Sequence, residues 1–365
     1  MASAKLFDAA PPFPEDVSPA QIARISLSKL RAGDKTEARA CFEASRTLGF
    51  FMLDLNNDDI GEKTIRGVES VYSIAQGVHD LPMAEKEEYC VEPPEKKFGY
   101  KAAGFMKTET GQPDRIEFFD IEQDDIFDNV PRRPYPQFLS ECWDDLRSYL
   151  NIIQQILTIL LSTLSGELGV PPSMFRDLQS TTERSGTRIR LIRNPPSLTD
   201  EDKRTALVPH TDFGTVTFLA NVIGGLQILP PNEDAHNDSS WKYLRPQPGC
   251  LLVNFGDAMP EWTGGVLRSN MHRVSYAPGR QAEVPRYSVV VLVRPGRTVK
   301  MGRRVGGRIP TLEDDQREGS VREGEIEMAG LTADEWERKK SVNLIRGVVL
   351  PHSSGGRELK PMIEA

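Results

Sequence analysis

Ala38, Cys41, Phe42, Ser45 and Leu48 recur at helical spacing, and Gly49 stands where such a helix would end. Phe50-Phe51-Met52-Leu53 reads as a short buried strand. Ile65, Val68, Tyr72 and Ala75 mark a second amphipathic helix. Trp143 through Leu164 marks a third, apolar on most faces and so predicted to be central. From Ile22 to about Leu164 the pattern is mostly helical, behind a Pro-rich lead-in of about twenty residues.

After Gly186 the texture changes. Short apolar runs at Thr187–Arg193, Thr215–Leu219, Gly225–Leu229, Gly249–Phe255, His272–Tyr276 and Tyr287–Val293 alternate with Gly, Pro, Asn and Asp. Strands so spaced predict a sandwich or barrel, and helices before strands predict an α+β arrangement. Residues 296–330 are Gly- and charge-rich, which predicts a mobile segment. Thr332-Ala333-Asp334-Glu335 is a capping-box pattern opening a last helix at Trp336. The apolar run Leu344-Ile345 with Val348-Val349-Leu350 could bury against something, and we expect this end of the chain to close over a pocket.

Composition narrows the class. An apolar content of 38% and a charged content of 27% are those of an ordinary globular protein, and a net charge of −8 gives no support for nucleic acid or an anionic membrane as partner. The four cysteines, Cys41, Cys90, Cys142 and Cys250, lie far apart, which suits free thiols in a reducing compartment. The N-terminus has neither an apolar signal core nor an Arg-rich transit pattern, and the apolar stretch Tyr149–Leu164 is short for a bilayer. A cytoplasmic location is the default expectation.

The chemistry concentrates in the strand-rich half. His210 and Asp212 are two apart, so on an extended segment they share a face. With one histidine from a distant strand they could form a two-histidine, one-carboxylate set, which suits ferrous iron and leaves positions open. Alone, that spacing also suits a surface histidine bonded to its neighbour. His272 opens another strand, and Arg286-Tyr287-Ser288 places an arginine and a hydroxyl on one strand face, a natural receptor for a carboxylate. His79 and His236 read as surface groups, His352 sits in a Pro/Gly/Ser-rich tail with no evident partner, and Asp257 reads as a turn residue capping or bonding backbone.

Ordered motifs carry a family likeness. Leu207-Val208-Pro209-His210-Thr211-Asp212-Phe213-Gly214, Gly224-Gly225-Leu226-Gln227-Ile228, Pro248-Gly249-Cys250 through Gly256-Asp257, Trp262-Thr263-Gly264-Gly265, the His272 segment and Arg286-Tyr287-Ser288 follow one another. Together they resemble the isopenicillin-N-synthase-like 2-oxoglutarate/iron(II) dioxygenases. The likeness is close over residues 186–295 and looser before them, at Leu48-Gly49-Phe50-Phe51 and Leu81-Pro82-Met83.

That resemblance implies a distorted double-stranded β-helix (jelly roll) flanked by helices, mainly from the N-terminal half. The parts would be a mostly helical region 1–185, a jelly-roll core 186–295, and residues 296–365 as a mobile segment and possible lid. It implies iron(II) on His210, Asp212 and His272, and 2-oxoglutarate with its far carboxylate on Arg286 and Ser288. O2 would be the oxidant and a small molecule, in secondary metabolism, the substrate. A site holding iron(II), one carboxylate ligand and a dianionic co-substrate is negative, and Arg286 would compensate it. The family's usual tyrosine before Pro195-Pro196 is Asn194 here, a shorter donor. Arg188 and Arg190 share that strand face and would serve a carboxylate of substrate or co-substrate, or else line an exposed edge. Phe213, Trp262 and Phe118-Phe119 would line a substrate pocket or belong to the core. Two alternatives stand beside this reading: a synthase-like oxidase working without 2-oxoglutarate, and a catalytically silent ligand-binding jelly roll.

Overall fold

The computed structural model describes residues 2–92, 98–108, 111–322, 325–345 and 352–359. Among the described residues twelve strands form two sheets. They are β1 (Ala23–Ser26), β2 (Phe50–Asp54), β3 (Gly99–Lys101), β4 (Glu117–Glu122), β5 (Arg188–Asn194) and β6 (Leu207–His210). Then come β7 (Val216–Asn221), β8 (Leu226–Ile228), β9 (Lys242–Tyr243), β10 (Cys250–Phe255), β11 (His272–Val274) and β12 (Arg286–Val293). The large sheet runs β1-β2-β10-β7-β12-β5-β4-β3 and the small one β6-β11-β8-β9. This is the α+β, double-stranded β-helix arrangement that the motif order implied.

Strand alternation assigns the faces. On β12, Val289, Val291 and Val293 point to a core shared with the helices, as do Phe218 of β7 and Val253 and Phe255 of β10. The opposite positions Val290, Leu219, Leu252 and Met52 point to a second apolar cluster, shared with Leu226, Ile228 and Val274 of the small sheet. That second cluster fills the space between the sheets, and the cavity-facing rows of the large sheet follow from the register. One row is Asp120, Arg190, Val290, Leu219, Leu252 and Met52; the next is Glu122, Arg188, Leu292, Thr217, Asn254 and Phe50.

The helices behind the large sheet form where the periodicity predicted. Lys35–Thr47 ends before Gly49, whose φ of 72° suits glycine. Asp59–Asp80 packs beside the 26-residue helix Trp143–Leu168, which closes on left-handed Gly169. That long helix corrects one expectation, since by length and composition it could cross a membrane. Here it is the centre of the core, with Leu146, Leu150, Ile153, Ile156 and Leu160 inaccessible. Each such side chain contributes roughly 1.5–3 kcal/mol by burial.

Three other expectations are corrected. The N-terminal half holds the expected helices but also supplies β1 to β4 to the large sheet, which therefore crosses the expected boundary at 185/186. β4 is not among the expected strands: it carries the charged Glu117, Asp120 and Glu122, yet all three are buried against basic partners from elsewhere in the chain. Residues 296–322 are packed rather than loose: Met301 and Ile309 are buried, and Arg303 pairs with buried Asp315 and Glu325, each at 2.7 Å. Gly- and charge-rich composition means mobility only while the charges stay in water, and these are paired inside. The expected run Val348-Val349-Leu350 and the side chains of Leu344 and Ile345 lie outside the described residues.

His79 is the third. It is 2% exposed rather than on the surface, with Nδ1 on the Ala75 carbonyl at 2.6 Å and its ring against Tyr287. Burial pushes its pKa from 6.5 down to about 4. An unfolded chain therefore takes up a proton at this residue below about pH 6.5 while the folded one does not, and stability falls with acidification down to about pH 4. The effect is on the order of 3 kcal/mol. A His79→Leu variant is expected to lack this acid sensitivity in denaturant titrations between pH 7 and pH 4; an unchanged pH slope would contradict it.

Candidate metal and co-substrate site

His210 ends β6 and His272 opens β11, and the two are direct register partners across the small sheet. Asp212 lies just past β6, in a loop rather than on the strand, so the loop and not strand alternation turns it toward the histidines. Both Nε2 atoms lie 3.9 Å from Asp212 Oδ1. The three ligand atoms fall within 4.8 Å of one another. Close backbone passage makes the loop possible: a Cβ on Gly214 would meet the Val293 carbonyl at 2.1 Å, and one on Gly256 would meet the Gly214 carbonyl at 2.3 Å.

Neighbours set the donor atoms. Nδ1 of His210 donates to the Val208 carbonyl at 2.8 Å and that of His272 to the Asn270 carbonyl at 3.2 Å, which leaves both Nε2 lone pairs facing inward. Asp212 Oδ2 accepts from Thr217 Oγ1 at 2.6 Å and Asn254 Nδ2 at 2.8 Å, so Oδ1 is the free oxygen. Burial alone would raise the Asp212 pKa; the two imidazoles and two hydrogen bonds outweigh it and hold it at about 2. Burial, then the neighbouring His272, pushes His210 down to about 4. At neutral pH these residues therefore offer a carboxylate and a neutral His210 imidazole beside His272, a donor set that fits iron(II).

Arg286 and Ser288 occupy the cavity face of β12. Arg286 is 4% exposed, with Nε on the Gly224 carbonyl at 2.8 Å and Nη1 on Asn194 Oδ1 at 3.4 Å. Among the described residues no carboxylate pairs with it, and burial pushes its pKa down to about 10. Two residues on, the Ser288 hydroxyl is buried with no hydrogen-bond partner. A buried cation without an anion is costly, and an orphan hydroxyl beside it completes the donor set for a carboxylate. Asn194 faces Arg286 in the register, and its Oδ1 accepts from the guanidinium.

The other expected residues divide. Arg188 and Arg190 are not on an exposed edge, because β5 lies between β12 and β4. Arg190 clasps buried Asp120 through Nε and Nη2, both at 2.7 Å, and its guanidinium stacks 3.8 Å from the Phe118 ring. Phe213 follows Asp212 and lies under the Lys340 ammonium at 5.5 Å. Trp262 is fully buried in the core cluster and stacks on Phe175 at 6.4 Å. His236 is exposed, as expected, and so is His352. Asp257 does not cap its helix; it bonds side chains from three segments. Thr217, Asn254 and Asp120 were missed, though inward strand parity from the motif residues would have found the first two.

Comparison with known proteins points to one family. Residues 186–295 match the family model of the 2OG-Fe(II) oxygenase superfamily, and residues 22–141 match that of the non-haem dioxygenase N-terminal region named for morphine synthesis. A 2-oxoglutarate-dependent dioxygenase of Aspergillus fumigatus is 26% identical, covering 89% of this chain and 86% of its own. Validamycin A dioxygenase of Streptomyces hygroscopicus subsp. limoneus is 30% identical, covering 74% of each. Among solved structures, a full-length Neurospora crassa protein in complex with alpha-KG superposes with a TM-score of 0.70 at 22% identity, over 90% of this chain and 98% of that one. Two family models in the right order, a relative at 30% identity and the shared fold lead to one conclusion: the chain belongs to the 2-oxoglutarate/iron(II)-dependent dioxygenases and is an oxidoreductase using iron(II), 2-oxoglutarate and O2.

Proposed function

We propose that His210, Asp212 and His272 hold the iron, that Arg286 and Ser288 take the far carboxylate of 2-oxoglutarate, and that Arg190 faces a small-molecule substrate of secondary metabolism. The observation carrying this assignment is the buried Arg286 guanidinium, unpaired among the described residues, beside the orphan Ser288 hydroxyl. In this reading residues 186–295 are the catalytic core, residues 1–185 its scaffold and residues 296–365 its brace. The free cysteines suit a reducing compartment, and we place the enzyme in the cytosol.

Iron(II), when bound, couples O2 reduction to decarboxylation of 2-oxoglutarate, giving succinate, and to oxidation of the substrate. The protein's part is placement. The Val208 and Asn270 carbonyls hold the imidazole protons on Nδ1, and Thr217 and Asn254 hold Asp212 with one oxygen forward. Arg286 and Ser288 fix the co-substrate at one end, so its keto acid end is presented in one orientation. The apolar cluster of Leu219, Leu252 and Val290 between the sheets keeps water from the middle.

Arg190 is suited to the substrate side. It projects from the cavity face of β5, its plane is set by the two Asp120 bonds and the Phe118 ring, and Nη1 has no hydrogen-bond partner among the described residues. Such a donor selects a substrate with a carbonyl or carboxylate oxygen. The relative named validamycin A dioxygenase is consistent with a small-molecule substrate.

The test is co-substrate dependence. Protein with iron(II), O2 and a turned-over substrate is expected to form succinate in step with product; product without 2-oxoglutarate would move the chain to the synthase-like alternative. In the same assay Arg190→Leu is expected to raise the substrate KM about tenfold or more, as loss of a charge-assisted bond does. The 2-oxoglutarate KM should stay near its original value, and an equal rise in both constants would remove Arg190 from the substrate side.

A further inference from the structure

Asp257 is 4% exposed and receives three side chains. Oδ1 accepts from Ser269 Oγ at 2.6 Å, and Oδ2 accepts from Thr211 Oγ1 at 3.1 Å and from the Lys340 ammonium. Its own backbone N–H donates to the Asp212 carbonyl at 2.8 Å. Thr211 stands between His210 and Asp212, and Ser269 is three residues before His272. One carboxylate therefore grips both ligand-bearing segments, which the chain brings in from opposite ends of the motif region.

Two hydroxyls satisfy the oxygens of Asp257 but leave its charge. Among the described residues the only ion-pair partner of Asp257 is Lys340; the nearby Glu261 has its own cation, Arg322, at 2.9 Å. Lys340 arrives from the C-terminal helix, Ala333–Ile345, and its ammonium lies over Phe213 at 5.5 Å and Trp336 at 4.7 Å. Those rings hold the lysine stem and contribute cation–π attraction. The helix is anchored independently by buried Trp336, by Arg297 on Asp334 at 2.8 Å and by the Arg294–Glu337 pair. Its start is the expected capping box, with the Glu335 amide on Thr332 Oγ1 at 3.3 Å and the Thr332 amide on Glu335 at 2.8 Å.

We propose that Lys340 is a positioning residue for the metal centre. From the C-terminal helix it neutralises Asp257 and holds it in place, so that Thr211 and Ser269 keep all three ligands gathered before any metal arrives. The C-terminal helix is then a clamp on the ligand loops. The proposal rests on the triad reading, and the experiment separates the two.

Lys340→Met keeps the apolar stem between the rings and removes the charge. Iron(II) affinity is measured anaerobically on the apo protein, by competition with a chelator, well below the melting transition. Lys340→Met is expected to bind roughly tenfold more weakly, the low end of what outer-shell partners of a metal site contribute. Lys340→Arg is expected to restore affinity to within about twofold. An unchanged affinity in Lys340→Met, even with a lowered Tm, would reduce the lysine to a stabilising role and overturn the proposal. His272→Ala runs alongside: if it too binds iron normally, the triad reading fails, whereas its loss of iron beside a normal Lys340→Met sinks this proposal alone. Should Lys340→Met aggregate, Asp257→Asn is expected to show the same weakening, and wild-type affinity there overturns the proposal equally.

Discussion

His272→Ala is expected to retain almost no iron after dialysis and to turn over at least about a thousandfold more slowly, which is about 4 kcal/mol at the barrier. The reason is geometric. With three ligand atoms within 4.8 Å of one another, each is a third of the protein's hold on the cation, and no other histidine, cysteine or carboxylate among the described residues joins the group. His236 and His352 are exposed and His79 is buried behind the large sheet beside Tyr287. The fold should survive, because the ring's contacts are an edge-on approach to Phe50 at 5.5 Å and a tilted one to His210 at 4.2 Å, both at the cavity and not in the main core. His210→Ala and Asp212→Ala are expected to behave alike. Stoichiometric iron in a normally active His272→Ala protein would end the assignment.

Arg286→Met should separate binding from stability in an unusual way. Loss of the charge-assisted contact with the co-substrate carboxylate, worth about 1.5–3 kcal/mol, is expected to raise the 2-oxoglutarate KM by roughly 10- to 150-fold. Yet the apo protein should be no less stable, with a Tm equal to or above that of the wild type. A guanidinium held at 4% exposure with no carboxylate partner among the described residues, and a pKa pushed down to about 10, costs stability until an anion binds. Wild-type protein should correspondingly gain Tm from 2-oxoglutarate in the presence of the metal, and Arg286→Met should lose that gain. A co-substrate requirement unmoved by the substitution would show that the carboxylate is held elsewhere.

What was legible in the sequence is what short segments encode. His210/Asp212 and Arg286/Ser288 could be read because each pair is two residues apart on one local segment, and His272 because the ordered motifs set it beside them. The helices Lys35–Thr47, Asp59–Asp80 and Trp143–Leu168 could be read because a single apolar stripe repeats along them. Even the start of the C-terminal helix was visible, since a capping box spans only four residues.

β4 was invisible for the opposite reason. Its carboxylates are burial-compatible only because Arg190, Arg193 and Arg297 come to them from about 70 to 175 residues away. The same holds for the packed segment around Arg303 and for Trp262, whose aromatic side chain is equally suited to a pocket wall or a core until Phe175 is placed against it. The sequence by itself determined the chemistry of this protein: which residues can hold iron(II), which can hold a dicarboxylate, and that a sheet presents them. Only the tertiary structure decided that Arg190 is clasped inside by Asp120, that His79 is buried, and that Lys340 reaches back to Asp257 beside the ligand loops. A buried charge is tolerated or not according to its partner, and a partner distant in sequence leaves no local periodicity to read.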